Sequence, residues 1–482
     1  MNRTQRSRVA VAAVLMLLLW AAALTACRAG GTSPETEAPA GETRVDDTRP
    51  GGSSSGEILP DGTQPGDAAT EPDDSIVTDA GTDTGTGNEP GSEADTGTGN
   101  EPGSDADTDA GPGAETDPGR IDLFDLPIPA GEYTLTFENL GELGAAHNVV
   151  YFVIDRFDWE YYERAREHAP EIFYNLDDGG FTYFNDAISL YPRTFPSIPY
   201  MITGVENDFS ESRAAYFASA YGRSEFMRCL YNEGYRINVY TADYYGYINA
   251  SFLAPYAANA KPASEGHAAY NTDMRDTYLH LTQNGLRIGE AERCYTFIHL
   301  SGTHPPIKYD ESFSPLPEGD ARRSNSTLGM KLSFAIINYY IDEMKRLGVY
   351  DSATIIITGD HTSIGSDSAV PLLWPHVTPL FIKPRARAEG ALEVSGAPVS
   401  HADIFPTVLW SEGISGSEAF GRTAFEIPEG ESRLRTYYFQ RKETINDRLD
   451  YEMVVFEISG RAADYSNWRI RERYYLGKSI YS

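Results

Sequence analysis

Two continuous apolar runs, each followed by side chains able to bind a metal, constrain the fold of this chain most strongly. Residues 148–154 read Asn-Val-Val-Tyr-Phe-Val-Ile and precede Asp155. Residues 354–359 read Thr-Ile-Ile-Ile-Thr-Gly and precede Asp360 and His361. Apolar runs of this length are typical of buried parallel strands. Ligands of open α/β sheets bind beyond the carboxyl ends of such strands, so Asp155, Asp360 and His361 are candidate site residues.

The remainder of the C-terminal two thirds predicts the architecture. Between residues 121 and 425, apolar strands alternate with amphipathic helices; 327–347 is the clearest helix and 180–189 a further strand. This alternation predicts an α/β domain with a mainly parallel central sheet flanked by helices. In residues 426–482, two stretches alternate between apolar and polar side chains, which predicts a small C-terminal antiparallel sheet. Asp158 is expected to be a solvated helix residue.

A proline-rich stretch, residues 191–204, predicts a turn that leads into a helix. Pro196 is tolerated in the first turn of a helix, which would place the Thr194 hydroxyl at the helix N-terminus. Free N–H groups and the macrodipole favour negative charge there, as a nucleophile that attacks a phosphate or sulfate ester requires. Taken alone, the stretch equally suits a stiff turn with a capping threonine. Arg193 can bind a phosphate oxygen or simply be exposed.

If the two apolar strands are neighbours, Asp155, Asp360 and His361 meet beside Thr194. Two carboxylates and an imidazole suit one divalent cation, such as Mn²⁺, Zn²⁺ or Mg²⁺. A cation there would lower the pKa of the threonine hydroxyl and neutralise the charge of an ester. The expected site is therefore a metal-dependent one.

Five motifs in fixed order resemble the sulfatase-like domain of the alkaline phosphatase superfamily, with lipoteichoic acid synthases and lipid A phosphoethanolamine transferases the most similar members. The motifs span about residues 147–410 and comprise Asn148 to Asp155, Thr194-Phe-Pro-Ser197, His299-Leu-Ser-Gly-Thr-His304-Pro, Thr358-Gly-Asp-His361 and His401-Ala-Asp403-Ile-Phe-Pro-Thr407. The resemblance implies that Thr194 is the nucleophile and a metal ligand, and that Asp155, Asp360 and His361 complete the metal shell. It also implies that His304 holds or protonates the substrate phosphate, with His299 nearby.

The chain departs from both branches of that superfamily. The transferases usually carry Glu where Asp155 stands, and several membrane helices as well. Sulfatases need a Cys or Ser that is oxidised to formylglycine, followed by an Arg where this chain has Ile198. Because threonine cannot form that aldehyde, chemistry through a phospho-threonine is favoured.

The predicted function is that of an extracytoplasmic enzyme that transfers or hydrolyses phosphate-linked groups, of phosphoglycerol or phosphoethanolamine type. Its substrates would be cell-envelope glycans or lipid headgroups. One alternative is a sulfuric ester, phosphonate or phosphodiester hydrolase on the same fold. Another is a catalytically inactive lipoprotein that binds envelope polymer.

The N-terminus has the pattern of an export signal. Arg3, Arg6 and Arg8 precede an apolar run that ends in Leu-Thr-Ala before Cys27. Residues 24–27 resemble the lipobox of bacterial lipoproteins, which implies cleavage before Cys27 and a lipid on its thiol. An uncleaved membrane anchor is the alternative, because the run approaches the length of a bilayer span. Both place the rest of the chain outside the cytoplasm.

Residues 28–120 predict a disordered tether. They contain 22 acidic and four basic residues, with a short repeat at 83–94 and 95–106 and almost no large apolar side chain. Such a segment cannot offset its chain entropy by burial. The chain carries a net charge of −32, and residues 121–482 keep −17 of it. No basic patch is visible for nucleic acid, and we expect a monomer.

Cysteine usage excludes a disulfide framework. Apart from Cys27, the chain has only Cys229 and Cys294. One disulfide between them is chemically feasible outside the cell. Two buried, unpaired thiols are the preferred interpretation.

Processing before Cys27 gives the first testable prediction. The intact mass of the mature chain should correspond to a protein that begins at a lipidated Cys27, and Cys27→Ser should abolish both the lipid mass and the cleavage. Mass spectrometry of the N-terminus, with Cys229→Ser as a matched control, measures both. An intact Met1 would exclude the lipoprotein interpretation.

Overall fold

The computed structural model describes residues 126–242, 248–362, 377–445 and 448–476. The predicted signal peptide, the tether and Cys27 lie outside these residues, so they remain predictions. None of the helices in the described part of the chain combines the length and the apolar character that a bilayer crossing requires.

The strands of the described ranges belong to four sheets. In chain order they are β1 (Tyr133–Leu135), β2 (Glu142–Leu143), β3 (His147–Ile154), β4 (Thr182–Phe184), β5 (Tyr235–Tyr240), β6 (Ala260–Pro262), β7 (Arg287–Ile288), β8 (Arg293–Leu300), β9 (Ala353–Gly359), β10 (Leu380–Lys383), β11 (Glu393–Ser395), β12 (Leu434–Ile445), β13 (Arg448–Ser459) and β14 (Trp468–Tyr475).

Seven strands form the central sheet, in the order β11-β4-β10-β9-β3-β8-β5. Neighbours run parallel except at β10, which is antiparallel to both β4 and β9. β12, β13 and β14 form a separate antiparallel sheet. The predicted fold class is therefore confirmed: a mainly parallel α/β sheet with a small C-terminal antiparallel sheet.

Helices cover the central sheet. In chain order they are α1 (Trp159–His168), α2 (Tyr174–Asp177), α3 (Thr194–Thr203), α4 (Arg213–Ala220), α5 (Glu225–Asn232), α6 (Ala250–Leu253), α7 (Met274–Asn284), α8 (Ser326–Leu347) and α9 (Ile404–Glu412). The Asn325 side chain caps α8 by accepting from the N–H of Leu328 at 3.2 Å, and Gly348, at φ +73°, ends it.

The continuous apolar run of β3 has a direct structural reason. Successive strand residues point to opposite faces, and both faces of β3 are buried. Val149, Tyr151 and Val153 join one hydrophobic cluster, with side chains of α3 and α5. The three residues that alternate with them join a second cluster, beneath α8: Val150, Phe152 and Ile154.

The C-terminal sheet shares its core with the central domain. Tyr438 and Val455 belong to the same cluster as Tyr191, whose ring stacks on that of Tyr438 with centroids 5.4 Å apart. On the opposite face, a third cluster gathers Tyr437 and Phe456. Both faces of β12 and β13 therefore pack against apolar side chains.

A buried ion pair ties the C-terminal sheet to the central domain. The Arg435 side chain is fully buried, and its Nη2 lies 3.2 Å from Asp186 Oδ2. The same guanidinium donates to the carbonyls of Asp186, Val399 and Gly460. Asp186 Oδ1 also accepts from the N–H of Ala462 at 2.7 Å. Arg435 and Asp186 thereby link the C-terminal sheet to backbone groups of three separate segments of the chain.

Two expectations about local structure are wrong, and the third strand of the C-terminal sheet, β14, was not predicted. Only Thr182–Phe184 of the expected strand 180–189 is a strand; Ala187 and Ile188 are apolar because they are buried beyond it. Asp158 is fully buried and caps α1, accepting from the N–H of Glu160 at 2.8 Å. β14 was missed because its largely exposed residues are mostly charged or aromatic.

Other expectations hold. Cys229 and Cys294 are both buried and are not joined in a disulfide, as preferred. Asp403 has a structural role: it accepts from the N–H of Ser400 at 2.7 Å and pairs with Arg433 at 3.0 Å.

The Arg435–Asp186 pair generates a stability prediction. Asp186→Ala should lower the free energy of unfolding by about 3–5 kcal/mol, because it leaves the buried guanidinium without its counter-charge. Asp177→Ala, which breaks a partly exposed pair with Arg166 at 2.8 Å, should cost about 1 kcal/mol or less. Chemical denaturation of both variants measures the difference. Equal losses of unfolding free energy in the two variants would contradict the role given to the buried Arg435–Asp186 pair.

Candidate active site

The carboxyl ends of three adjacent strands place the candidate residues together. β3 lies between β8 and β9, with Ile154 opposite Leu300 on one side and Gly359 on the other. Asp155 and Asp360 therefore leave the sheet at the same level. One ligand atom each of Asp155, Asp360 and His299 lies within 4.8 Å of the other two. This spacing allows one cation to contact all three.

Two glycines permit this close approach. A Cβ on Gly302, at φ +55°, would lie 2.6 Å from Ile154 Cγ2 and 2.7 Å from the nitrogen of Asp155. A Cβ on Gly359 would lie 2.7 Å from Phe157 Cβ. Any larger residue at either position would push the turn that carries Asp155 away from its neighbours.

Hydrogen bonds fix the turn after β3. Arg156 has a positive φ of 56°, and its N–H donates to Asp360 Oδ1 at 3.0 Å. The Thr303 hydroxyl donates to the Arg156 carbonyl at 2.6 Å. Asp360 Oδ1 also accepts from the N–H of His361 at 2.8 Å. One oxygen of Asp360 is thus occupied with the backbone.

His361 presents one ring nitrogen to the site. Its Nδ1 lies 2.7 Å from the carbonyl oxygen of Thr362 and must donate to it. Nε2 of the neutral ring therefore carries the lone pair. That atom lies 3.6 Å from Asp155 Oδ1, 3.6 Å from Asp360 Oδ2 and 3.4 Å from Thr194 Oγ1. A metal-binding histidine has this arrangement, with the distal nitrogen held by a carbonyl.

Thr194 is the first residue of α3 and is only 8 % exposed. Phe195 departs from helical geometry, with φ −97° and ψ 124°, so the regular turns begin at Pro196. The hydroxyl therefore lies at the entrance of the helix and beside His361. Its role as a nucleophile stays a prediction.

Electrostatics favour a cation between these groups. Burial raises the pKa of the Asp360 carboxyl, and its neighbours, the Thr194 hydroxyl among them, offset this only in part. Burial also lowers the pKa of His361 to about 3 and that of His299 to about 4, so both rings are neutral at pH 7. A buried carboxylate that faces neutral imidazoles lacks a counter-charge. The mixed oxygen and nitrogen donors fit a divalent metal ion.

The other predicted residues lie around this centre. Burial is the main cause of the lowered pKa of His361, and Arg193 and His304 lower it further, so both lie near it. His304 is half-buried, and its Nδ1 donates to the carbonyl of Pro305 at 2.7 Å. Whether Arg193, His299 and His304 contact substrate remains a prediction.

Sequence reasoning missed two features of the site. His299 was expected beside the substrate, whereas the structure places it within reach of the same cation as Asp155 and Asp360. Arg156, whose charge also acts on His361, was not considered. Its position directly after Asp155 was the available signal.

The comparison with known families decides the membership of the chain. The family model described as sulfatase matches residues 147–411, which is more than half of the chain and includes every candidate residue of the metal site. The chain belongs to the sulfatase family. No curated protein matches its sequence.

Several solved structures resemble this sulfatase-family chain at low identity. A protein in the alkaline phosphatase superfamily from Vibrio parahaemolyticus is 13% identical, with a TM-score of 0.45, and the match covers 73% of this chain and 87% of that one. The lipoteichoic acid synthase LtaP from Listeria monocytogenes is 13% identical, with a TM-score of 0.44, and the match covers 70% of this chain and 90% of that one. The C-terminal periplasmic domain of EcEptC from Escherichia coli is 15% identical, with a TM-score of 0.40, and the match covers 65% of this chain and 93% of that one.

Metal binding should reverse an instability of the metal-free site. Asp360→Asn removes the uncompensated charge, so the metal-free variant should be at least as stable as the wild type. A cation at about 100 times its dissociation constant should raise the free energy of unfolding of the wild type by about 2.7 kcal/mol. The variant should lose most of that gain.

Thermal unfolding with and without Zn²⁺ or Mn²⁺, after dialysis against a chelator, measures both effects. Asp178→Asn, at an exposed position, is the control and should respond to the cation as the wild type does. Equal stabilisation of Asp360→Asn and wild type would exclude Asp360 as a ligand.

Proposed function

We propose that this sulfatase-family chain is a metal-dependent hydrolase or transferase that acts on phosphate-linked groups, of phosphoglycerol or phosphoethanolamine type, in cell-envelope polymers. The observation that carries the proposal is the Thr194 hydroxyl, 3.4 Å from His361 Nε2 in the pocket of Asp155 and Asp360. A hydroxyl among buried metal-binding groups is typical of a nucleophile in ester cleavage.

The proposed metal ligands are Asp155, Asp360 and His361, with Thr194 through its hydroxyl and His299 as a further candidate. A divalent cation bound there would neutralise the ester charge and favour the ionised hydroxyl. Its identity stays open among Mn²⁺, Zn²⁺ and Mg²⁺, because each accepts oxygen donors and the histidines add nitrogen.

The proposed reaction has two displacements at phosphorus. In the first, Thr194 Oγ1 forms a bond to phosphorus, the bond to the donor alcohol breaks, and His304 supplies the proton that the leaving oxygen takes. In the second, an acceptor hydroxyl or water gives its proton to His304 and attacks phosphorus, which frees Thr194. Arg193 and Arg156 would hold the non-reacting oxygens.

Threonine at position 194 favours phosphate over sulfate chemistry. Formylglycine-dependent sulfatases need Cys or Ser at this position, and threonine cannot yield the aldehyde. Asp155 nevertheless stands where that branch usually has its acidic ligand, so a sulfuric ester hydrolase is the second candidate. Relative rates on the two ester classes distinguish them.

The proposed location is the outer face of a bacterial membrane, with Cys27 carrying the lipid. The 93 residues from 28 to 120 would act as a flexible tether, whose ends lie on the order of 50–60 Å apart as a random coil. That reach would bring the domain to lipid headgroups or to glycans of the envelope. We propose that it acts there as a monomer.

Substitution of Thr194 tests the proposal. Thr194→Ala should lower turnover of an aryl phosphodiester by on the order of 10³-fold or more, because the nucleophile is lost, whereas Thr194→Ser should keep measurable activity. Thr203→Val, in the same helix, is the matched control: it removes a hydroxyl that donates to the Pro199 carbonyl and accepts from the N–H of Val205.

Assays with Mn²⁺ on an aryl phosphodiester and an aryl sulfate measure the preference, and intact mass after incubation with a phospholipid donor detects an adduct on Thr194. Faster cleavage of the sulfate would favour the second candidate. Full activity of Thr194→Ala would exclude this nucleophile.

A further inference from the structure

His299 is held at both its backbone and its ring. The hydroxyl of Tyr270 donates to the His299 carbonyl at 2.8 Å. The Thr241 hydroxyl oxygen lies 3.0 Å from His299 Nδ1. The ring is 4 % exposed and Thr241 is 1 % exposed, so water does not compete for this contact. Tyr270 therefore anchors the backbone of His299, and Thr241 contacts its ring.

The second ring nitrogen has no partner among the described residues. Nε2 of His299 is buried and makes no hydrogen bond to any described residue, although ligand atoms of Asp155 and Asp360 lie within 4.8 Å of a nitrogen of this ring. Because Nδ1 is engaged with Thr241, Nε2 is the nitrogen available to a cation. A metal requires the lone pair on that atom, hence the hydrogen on Nδ1.

We propose that Thr241 is a positioning residue of the metal site: its hydroxyl oxygen accepts the Nδ1 hydrogen of His299 and thereby keeps the Nε2 lone pair directed at the cation. This inference rests on the proposed metal-dependent function. Thr241 touches neither substrate nor metal, and it acts only through His299. It follows β5, whereas His299 lies in β8, the neighbouring strand, so the contact between them spans the end of the sheet.

The physical reason for such a residue is the freedom of a neutral imidazole. Either nitrogen can carry the hydrogen, and the ring can rotate about its χ2 angle. An acceptor at Nδ1 selects one tautomer and one orientation before the metal arrives. Partners of this kind commonly change metal affinity by about 10- to 100-fold when they are removed.

Thr241→Val tests the proposal, because valine keeps the shape of the side chain and removes its oxygen. In the full chain, Zn²⁺ affinity measured by competition with a chromophoric chelator should fall by about 10- to 100-fold. Thr241→Ser restores the acceptor and should stay within about threefold of the wild type. Thr407→Val removes a different buried hydroxyl, which bonds to the Asp403 carbonyl at 2.5 Å, and should leave Zn²⁺ affinity unchanged.

A double-mutant cycle separates positioning from general destabilisation. In a His299→Ala background, Thr241→Val should cause no further loss of Zn²⁺ affinity, because the ring through which it acts is absent. An equal loss in both backgrounds would overturn the proposal, as would wild-type affinity in Thr241→Val. If Thr241→Val does not fold, a Thr241→Ser variant with strongly reduced affinity would also overturn it.

The outcome for the wild type distinguishes this inference from the proposed function. A wild-type chain that binds Zn²⁺ and cleaves the phosphodiester, beside a Thr241→Val variant of equal affinity, overturns the positioning role alone. A wild-type chain that binds no divalent cation overturns both.

Discussion

The parallel pairing of β3 with β8 and β9 is the constraint on which the candidate site depends. The pairing is continuous from Asn148 to Ile154 on both sides, so the three strands end at one level and their next residues meet. A shift of one residue would turn every side chain of β3 to the opposite face. Both faces are buried in separate hydrophobic clusters, which fixes the register strongly and with it the distance between Asp155 and Asp360.

The same packing holds the site together although burying its charged groups is unfavourable. Metal-free, the pocket holds the buried carboxylate of Asp360, the partly buried one of Asp155 and two neutral imidazoles, and burial raises the pKa of Asp360. Such an arrangement opposes folding and persists only where the surrounding structure over-determines it. Gly302 and Gly359 show how closely the chain is drawn together here, since neither has room for a Cβ. A bound cation would convert this cost into binding energy.

The parts that could be predicted from sequence depend on local patterns, and the parts that could not depend on distant contacts. Apolar runs identified β3 and β9, and their last residues identified Asp155 and Asp360. Ala187 and Ile188 were predicted to lie in a strand because they are apolar, but they are buried outside any strand. Asp158 was predicted to be solvated, although it is buried and caps α1. The contact of Thr241 with His299 joins residues 58 positions apart, and no local pattern marks it.

Charge at the site and charge of the whole chain act over different distances. The net charge of −32 opposes the approach of an anionic polymer, but at physiological ionic strength exposed charges are screened beyond about 8 Å. Arg156, Arg193 and His304 act on the buried His361 at short range, where water screens less. Under the proposed function, net charge would therefore slow encounter with an anionic substrate in a salt-dependent way, while the nearby arginines and a bound metal would act on the reacting group at short range.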